Sequence, residues 1–418
     1  MKILILYRHF WPDSPPYASM LRSIASQLTQ DGHDVTIWTQ EPSYKQSDWD
    51  HSAARSENLD GIAIERFSCL PGFRRLGAVR ILDKLLFPVR LLLKALLSRL
   101  QGRGHDLVWT ATIPPVAQGM AGRWIAGIFG AKLLYHCQDL YPELGAHSGK
   151  WRAGGLADKL LKSIERRTRS RADILVALSD DMSDTVRQLA SPRGTLAVIN
   201  NFMLEDFSEA PSEPNAKPVE RAEPAGPVRL IFAGNLGEFQ GLDLLIEAMQ
   251  LVEAKRQDVE LVLMGDGKAR AKLIKQSEGM RSVRFEEHRP FEEAQQFIAA
   301  ADVGIVSLEP DIYRLAFPSK TLTYLGLNLP LLCVVEEQSN LAGMVADYNL
   351  GWTAPRDPQQ IAAQIAQIAE SRGELGAMRE AIAPWFDTNL RREAILQRWS
   401  GLIAGIDPVG GAQKGGSQ

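Results

Sequence analysis

A chain of 418 residues with 45% hydrophobic and 23% charged side chains can build two domain-sized cores, which excludes a disordered polypeptide. A net charge of −3 argues against a dedicated nucleic-acid binder, and near-average glycine (34) and proline (23) exclude collagen-like or low-complexity architecture. Three scattered cysteines, Cys69, Cys137 and Cys333, form neither a disulfide framework nor a zinc set and fit a reducing cytoplasm.

The first apolar run meets Tyr7-Arg8-His9 at once, so it is too short for a signal peptide and reads as a buried strand. Short apolar runs then alternate with amphipathic stretches, the pattern of a parallel sheet covered by helices. Strands are expected at Lys2–Tyr7, Asp34–Thr39, Ile62–Phe67, Leu107–Thr110, Lys132–His136, Ile174–Ala177 and Leu196–Ile199. Helices are expected at Tyr17–Gln30, Ile81–Arg99, Val116–Phe129, Gly155–Ser170 and Asp180–Leu189. Residues 208–227 hold five prolines and almost no large apolar side chain, the composition of an exposed linker. The rhythm restarts with strands at Val228–Ala233, Val259–Met264, Val283–Glu286, Val303–Ser307 and Leu331–Val335. Helices are expected at Leu242–Lys255, Lys268–Ser277, Phe291–Ala301, Ser319–Leu327 and Asn340–Asp347, and 358–406 reads as mostly helical before a flexible tail at 407–418. The domains are therefore 1–207 and 228–388, with a ligand cleft expected between two doubly wound sheets.

Charge is unevenly spread. Arg66–Arg103 carries nine Lys/Arg against one acid, Asp83, and Lys150–Arg171 carries eight against two. The first stretch interleaves its charges with Leu, Ile, Val and Phe at helical spacing, and no apolar run reaches the ~18–20 residues of a bilayer span. An amphipathic helix on an anionic membrane surface fits this pattern, a core helix with a basic outer face is the plainer alternative, and nucleic acid is disfavoured by the scarcity of accompanying aromatics.

Three segments of the second half carry candidate chemistry. Gly234-Asn235-Leu236-Gly237-Glu238-Phe239-Gln240 lies at a strand-to-helix turn, where glycines let the backbone approach a phosphate. Gly265-Asp266-Gly267 is a lone GxG at a strand end, and both turns also stand as plain βα connections. In Pro318-Ser319-Lys320-Thr321, Ser319 reads as a helix cap, and Lys320 in the first turn opposes the helix dipole, which suggests an anionic partner. In the first half, Asp48-Trp49-Asp50 matches a DxD metal signature but sits in a polar loop, so no metal site is assigned.

AGNLGEFQGLDLLIEAM, LMGDG, ADVGIVSLEP and PSKTLTYLGLNLPLL, in this order and spacing, resemble the donor half of family 4 glycosyltransferases. HCQDLYPE at His136–Glu143, followed by a helix and DILVALSDDM, is similar to their first half, nearest the bacterial surface-polysaccharide and O-antigen branch that includes fucosamine transferases. The resemblance implies an α/β GT-B fold of two Rossmann-like domains, with the final helix, at about 389–406, packing back on the first. It implies a retaining transferase with a nucleoside diphosphate sugar as donor and no metal requirement. Taken with the basic stretch at Arg66–Arg103, the expected enzyme is cytoplasmic and peripheral on the inner face of the plasma membrane, with a lipid-linked or saccharide acceptor and no cofactor. Donor binding falls on Gly234, Asn235, Gly237, Gln240, Gly265, Asp266, Ser319 and Lys320, with Arg314 in support. Asn235 and Gln240 stand where most members have Arg and Lys, and Thr323 where they have a ribose-binding glutamate. Asp139, His136 and Glu143, at or just past a strand's carboxyl end, are the candidates to orient or deprotonate the acceptor hydroxyl. A nucleotide-sugar epimerase of this fold and an inactive binding module are the alternatives.

Overall fold

The computed structural model describes residues 1–45, 53–204, 226–237 and 240–406. The DxD at 48–50, nearly all of the proline-rich stretch at 208–227 and the tail at 407–418 lie outside them. The chain forms two compact units, Met1–Asn200 with Ile395–Gln418, and Asn201–Ala394.

The first unit carries an eight-stranded sheet built from β1 (Lys2–Leu6), β2 (Asp34–Gln40), β3 (Ser56–Leu59), β4 (Ile62–Phe67), β5 (Leu107–Ala111), β6 (Lys132–Cys137), β7 (Ile174–Ala177) and β8 (Thr195–Val198). Its order is β3-β4-β2-β1-β5-β6-β7-β8, parallel throughout except for the β3–β4 edge pair. Central strands such as β5 (LVWTA) are buried along their whole length, as expected where helices cover both faces. Those helices are α1 (Pro16–Gln30), α2 (Gly77–Leu100), α3 (Ala117–Phe129), the short α4 (Glu143–His147), α5 (Leu156–Arg171) and α6 (Asp180–Ala190). Right-handed crossovers from β1 to β2 and from β5 onward run in opposite directions along the sheet, which puts α1 on one face and α2, α3, α5 and α6 on the other. In agreement, α2 packs on α3, α3 on α5 and α5 on α6.

Asp83, the one acid of the basic stretch, is fully buried. It accepts from Arg8 at 2.9 Å, from the Leu70 backbone N–H at 3.0 Å and from Gln40. That anchor fixes the inner face of α2 on the sheet and turns its leucine stripe outward.

The second unit has β9 (Val228–Ala233), β10 (Val259–Met264), β11 (Val283–Glu286), β12 (Val303–Ser307), β13 (Leu331–Val334) and β14 (Gly351–Ala354), all parallel in the order β11-β10-β9-β12-β13-β14. Around them lie α7 (Leu242–Glu253), α8 (Arg270–Gln276), α9 (Phe291–Ala299), α10 (Lys320–Gly326), α11 (Asn340–Asp347), α12 (Pro358–Glu370) and α13 (Leu375–Asn389), with a one-turn 3-10 helix at Ile312–Arg314. The strand order reverses between β9 and β12, so the crevice for a ligand is at their carboxyl ends. The last helix, α14 (Arg392–Ala404), belongs to the first unit, where Trp399 stacks on Trp109 of β5 with ring centroids 4.4 Å apart.

Three short elements had no counterpart in the sequence pattern. β3 (SENL) is a polar edge strand held by its antiparallel partner, β14 is four residues long, and α4 is a single turn following Pro142.

Candidate active site

At the switch point of the second sheet, β9 ends in Gly234 (φ +121°), and a methyl group added there would lie 3.3 Å from Lys320 Cε. Lys320 reaches this point because Tyr324, one helical turn on, is locked beneath the sheet. Its hydroxyl accepts the Ala233 backbone N–H at 2.8 Å, and its ring fills the space that a side chain at Gly304 would occupy. The Lys320 Nζ stands 4.5 Å from the Phe232 ring centroid, and among the described residues it has no carboxylate and no hydrogen-bond acceptor. Burial without a counter-charge lowers its pKa from 10.5 to about 8. An ammonium held half-buried, desolvated and unpaired at a glycine turn is equipped to take an anion.

The loop around it gathers most of the expected residues. Asn235 Nδ2 and Gln240 Oε1 converge on Gly237, 2.7 and 2.9 Å from where a Cβ would sit. The Gln240 backbone carbonyl accepts from Ser307 at the end of β12, tying the two strand ends together. Other expected residues have structural surroundings of their own. Gly265 is explained by packing: a Cβ would fall 2.1 Å from the Gly234 carbonyl oxygen, because the two glycine loops lie directly on one another. Asp266 accepts its own loop's Gly267 N–H at 2.7 Å. Arg314 stacks over Tyr313, donates to its hydroxyl at 3.0 Å and faces Asp311, so it is no free cation beside Lys320. Ser319 occupies the cap position of α10, yet its side chain makes no capping bond, and Thr323 lies half-buried on the same helix.

The ion pair of Arg356 with Glu309 (2.9 Å) escaped the sequence reading. It lies against Gly241, where a Cβ would sit 2.6 Å from the guanidinium, so this glycine serves a close approach at the start of α7. A lone arginine in a turn carried no signal of this role.

In the first unit the three acceptor candidates separate. His136 is enclosed, 1% exposed, against Trp109 and Trp399. Gln138 Nε2 donates to its Nε2 at 2.9 Å, which leaves the ring proton on Nδ1, 2.8 Å from the Tyr17 hydroxyl. Burial pushes its pKa down to about 3, so it is a neutral core histidine with both nitrogens engaged. This corrects its expected place facing a ligand. Glu143 likewise serves the interior, 3.2 Å from Arg169, which also pairs with buried Glu165. Asp139 differs. It is half-buried, its carboxylate has no hydrogen-bond partner among the described residues, and desolvation raises its pKa from 3.8 to about 6. It can exchange a proton near neutrality.

Among the described residues no three His, Cys, Asp or Glu gather as a metal-binding group, and no helix is long and apolar enough to cross a membrane.

Two family models cover most of the chain: the glycosyl transferase 4-like domain matches residues 17–201, and glycosyl transferases group 1 matches 227–371. The chain belongs to the family 4 glycosyltransferases of GT-B fold. It is 27% identical over 298 residues to the probable glycosyltransferase WbjE of Pseudomonas aeruginosa, covering 70% of this chain and 72% of that one. It is 23% identical to the colanic acid biosynthesis glycosyl transferase WcaI of Escherichia coli, covering 89% and 92%. Among solved structures, HepE of Anabaena in complex with UDP superposes with a TM-score of 0.65 at 16% identity, covering 97% of this chain and all of that one. WaaG, a glycosyltransferase involved in lipopolysaccharide biosynthesis, superposes at 0.64 and 16% with the same coverage. At such identities the structural likeness carries the fold alone.

Proposed function

We propose that this glycosyltransferase moves a sugar, with retention of configuration, from a nucleoside diphosphate donor to a lipid-linked saccharide in bacterial surface-polysaccharide assembly. The observation that carries the donor assignment is the unpaired, desolvated Lys320 at the Gly234 turn. As the bond from the sugar's anomeric carbon to the diphosphate breaks, negative charge builds on the departing phosphate oxygen. A cation already stripped of water meets that charge with little reorganisation. Asn235 and Gln240 contribute hydrogen bonds without charge, so Lys320 supplies the side-chain cation at this turn and no metal or cofactor is assigned a part. Asp139 orients the acceptor hydroxyl, with its raised pKa suited to sharing the proton that the departing phosphate finally takes. HepE, whose structures hold UDP and UDP-glucose, and WcaI, named for colanic acid biosynthesis, support the choice of donor and pathway.

The basic, outward-facing leucine stripe of α2 supports a place on the cytoplasmic face of an anionic membrane, where a lipid-linked acceptor would be met. A thermal-shift scan of nucleoside diphosphates and nucleotide sugars tests the donor assignment. A ligand at 100 times its Kd adds about 2.7 kcal/mol, a shift of several degrees. No stabilisation by any of them would overturn it.

A further inference from the structure

Large apolar side chains are exposed very unevenly. Of seventeen among the described residues, fourteen lie in Met1–Asn200, and twelve of these are on or beside α2, α3 and α5. On α2 the outward line is Leu82, Leu85, Val89, Leu93, Leu96 and Leu100, directly opposite the buried line through Asp83, Phe87 and Leu91. On α3 it is Trp124, 47% exposed, with the Arg123 guanidinium 6.0 Å from its ring. On α5 it is Leu156 and Leu160, 88% and 62% exposed, continuing along the same side of the helix into Arg167 and Arg171. These three helices are neighbours in one layer on one face of the sheet.

The charges on α5 divide by side. Its inward charges are paired: Arg169 with Glu165 and Glu143, and Asp158 with Lys162. Arg167 and Arg171 on the outer side have no carboxylate partner among the described residues, and neither has Arg123. Solvent alone gives no reason to place a tryptophan and two leucines among unpaired guanidinium groups. A surface with an acyl interior and phosphate headgroups satisfies both.

We infer that the membrane-facing surface is three helices wide, with Trp124, Leu156 and Leu160 entering the lipid interface and Arg123, Arg167 and Arg171 meeting acidic headgroups. The inference rests on the membrane reading given above for α2 and extends it, accounting for the second basic stretch that donor and acceptor binding leave unused. A flat layer of three helices also holds the first unit in one fixed orientation to the bilayer, which a single helix lying on it does not.

The test is co-sedimentation with vesicles of phosphatidylglycerol and phosphatidylcholine, compared with phosphatidylcholine alone, at low salt. Three forms are needed: the unmodified protein, an α2 variant (Leu85→Ser, Leu93→Ser), and an α3–α5 variant (Trp124→Ser, Leu160→Ser, Arg167→Ser, Arg171→Ser). All these positions are exposed or half-buried at the surface, so circular dichroism should be unchanged. Each variant should lower the partition coefficient on anionic vesicles by roughly tenfold or more, and the loss of apolar side chains should also lower whatever weak binding neutral vesicles show. If only the α2 variant loses binding, the three-helix surface is wrong while the α2 reading stands. Equal recovery of the unmodified protein on both vesicle types overturns both. As a measurement independent of the variants' folding, an environment-sensitive dye on Leu160→Cys should shift to the blue with anionic vesicles, whereas one on Leu251→Cys of the second unit should not. A dimer that the α3–α5 variant converts to monomer, with no vesicle binding, would assign this face to a second copy and reject the bilayer.

Discussion

Replacing Lys320 with alanine separates a phosphate-binding cation from a lysine that merely borders a turn. In the free protein its pKa falls from 10.5 to about 8, so keeping the charge at neutral pH costs roughly 3 kcal/mol. An anion beside the ammonium returns that cost, and a hydrogen bond to a charged group is worth about 1.5–3 kcal/mol. Lys320→Ala should therefore weaken donor binding by roughly 10–150-fold. The unliganded variant should be more stable than the parent, because the penalty is full below pH 8 and fades only as pH climbs toward 10.5. Binding should also move protons. At pH 8 the free amine is about half protonated, so donor binding to the parent should take up about half a proton, and to the variant none. Lys320→Gln should behave like alanine, since Asn235 and Gln240 already offer uncharged donors. Calorimetry in two buffers of different ionisation enthalpy reads affinity and proton uptake together. A Lys320→Ala protein that binds donor as tightly as the parent, with the same uptake, refutes the assignment.

Asp139→Asn should lower kcat by roughly 100-fold or more, and the parent's activity should rise as pH passes through about 6. The same variant should be up to about 3 kcal/mol more stable than the parent above pH 6, the difference vanishing as pH falls below 3.8. The desolvated carboxylate is costly only once ionised, as pH-resolved denaturant melts would show. His136→Leu should cost about 1–3 kcal/mol by removing the hydrogen bonds that the ring makes with Tyr17 and Gln138. The folded fraction should keep its KM for donor and acceptor, and a selective loss of kcat would return His136 to the active site. Tyr324→Phe strands the buried Ala233 N–H, and should cost about 1–3 kcal/mol and raise the donor KM more than it lowers kcat.

Both sheets were legible because a parallel strand buried on two faces leaves an unbroken apolar run, as in β7 (ILVA) and β13 (LLCV). β3 and β14 were not, because an edge strand borrows its order from a neighbour and needs no pattern of its own. Lys320 could be singled out because a cation in a helix's first turn is locally unfavourable, and local misfits survive in the sequence. Tyr324, one turn later on the same helix, gave no such sign, since its partners Ala233 and Gly304 come from other strands. Two of the three acceptor candidates, His136 and Glu143, were misplaced for that reason too. HCQDLYPE places His136, Asp139 and Glu143 near one strand end, but their environments are set by Tyr17, Trp399 and Arg169, each far away in the chain. Only Asp139 lacks such a partner. The glycines of the GDG turn read two ways in the sequence, because close packing of one loop on another demands the same residue that a phosphate would.

The most direct test of the proposed function is an assay of transfer from a labelled nucleotide sugar, of the kind the thermal scan selects, to polyprenyl-linked saccharide, reading the new anomeric proton by NMR. The proposal predicts labelled lipid-linked product that keeps the donor's anomeric configuration, formed by the parent and strongly reduced in both Lys320→Ala and Asp139→Asn. Product of inverted configuration, or release of an epimerised sugar with no label on the lipid, would contradict it.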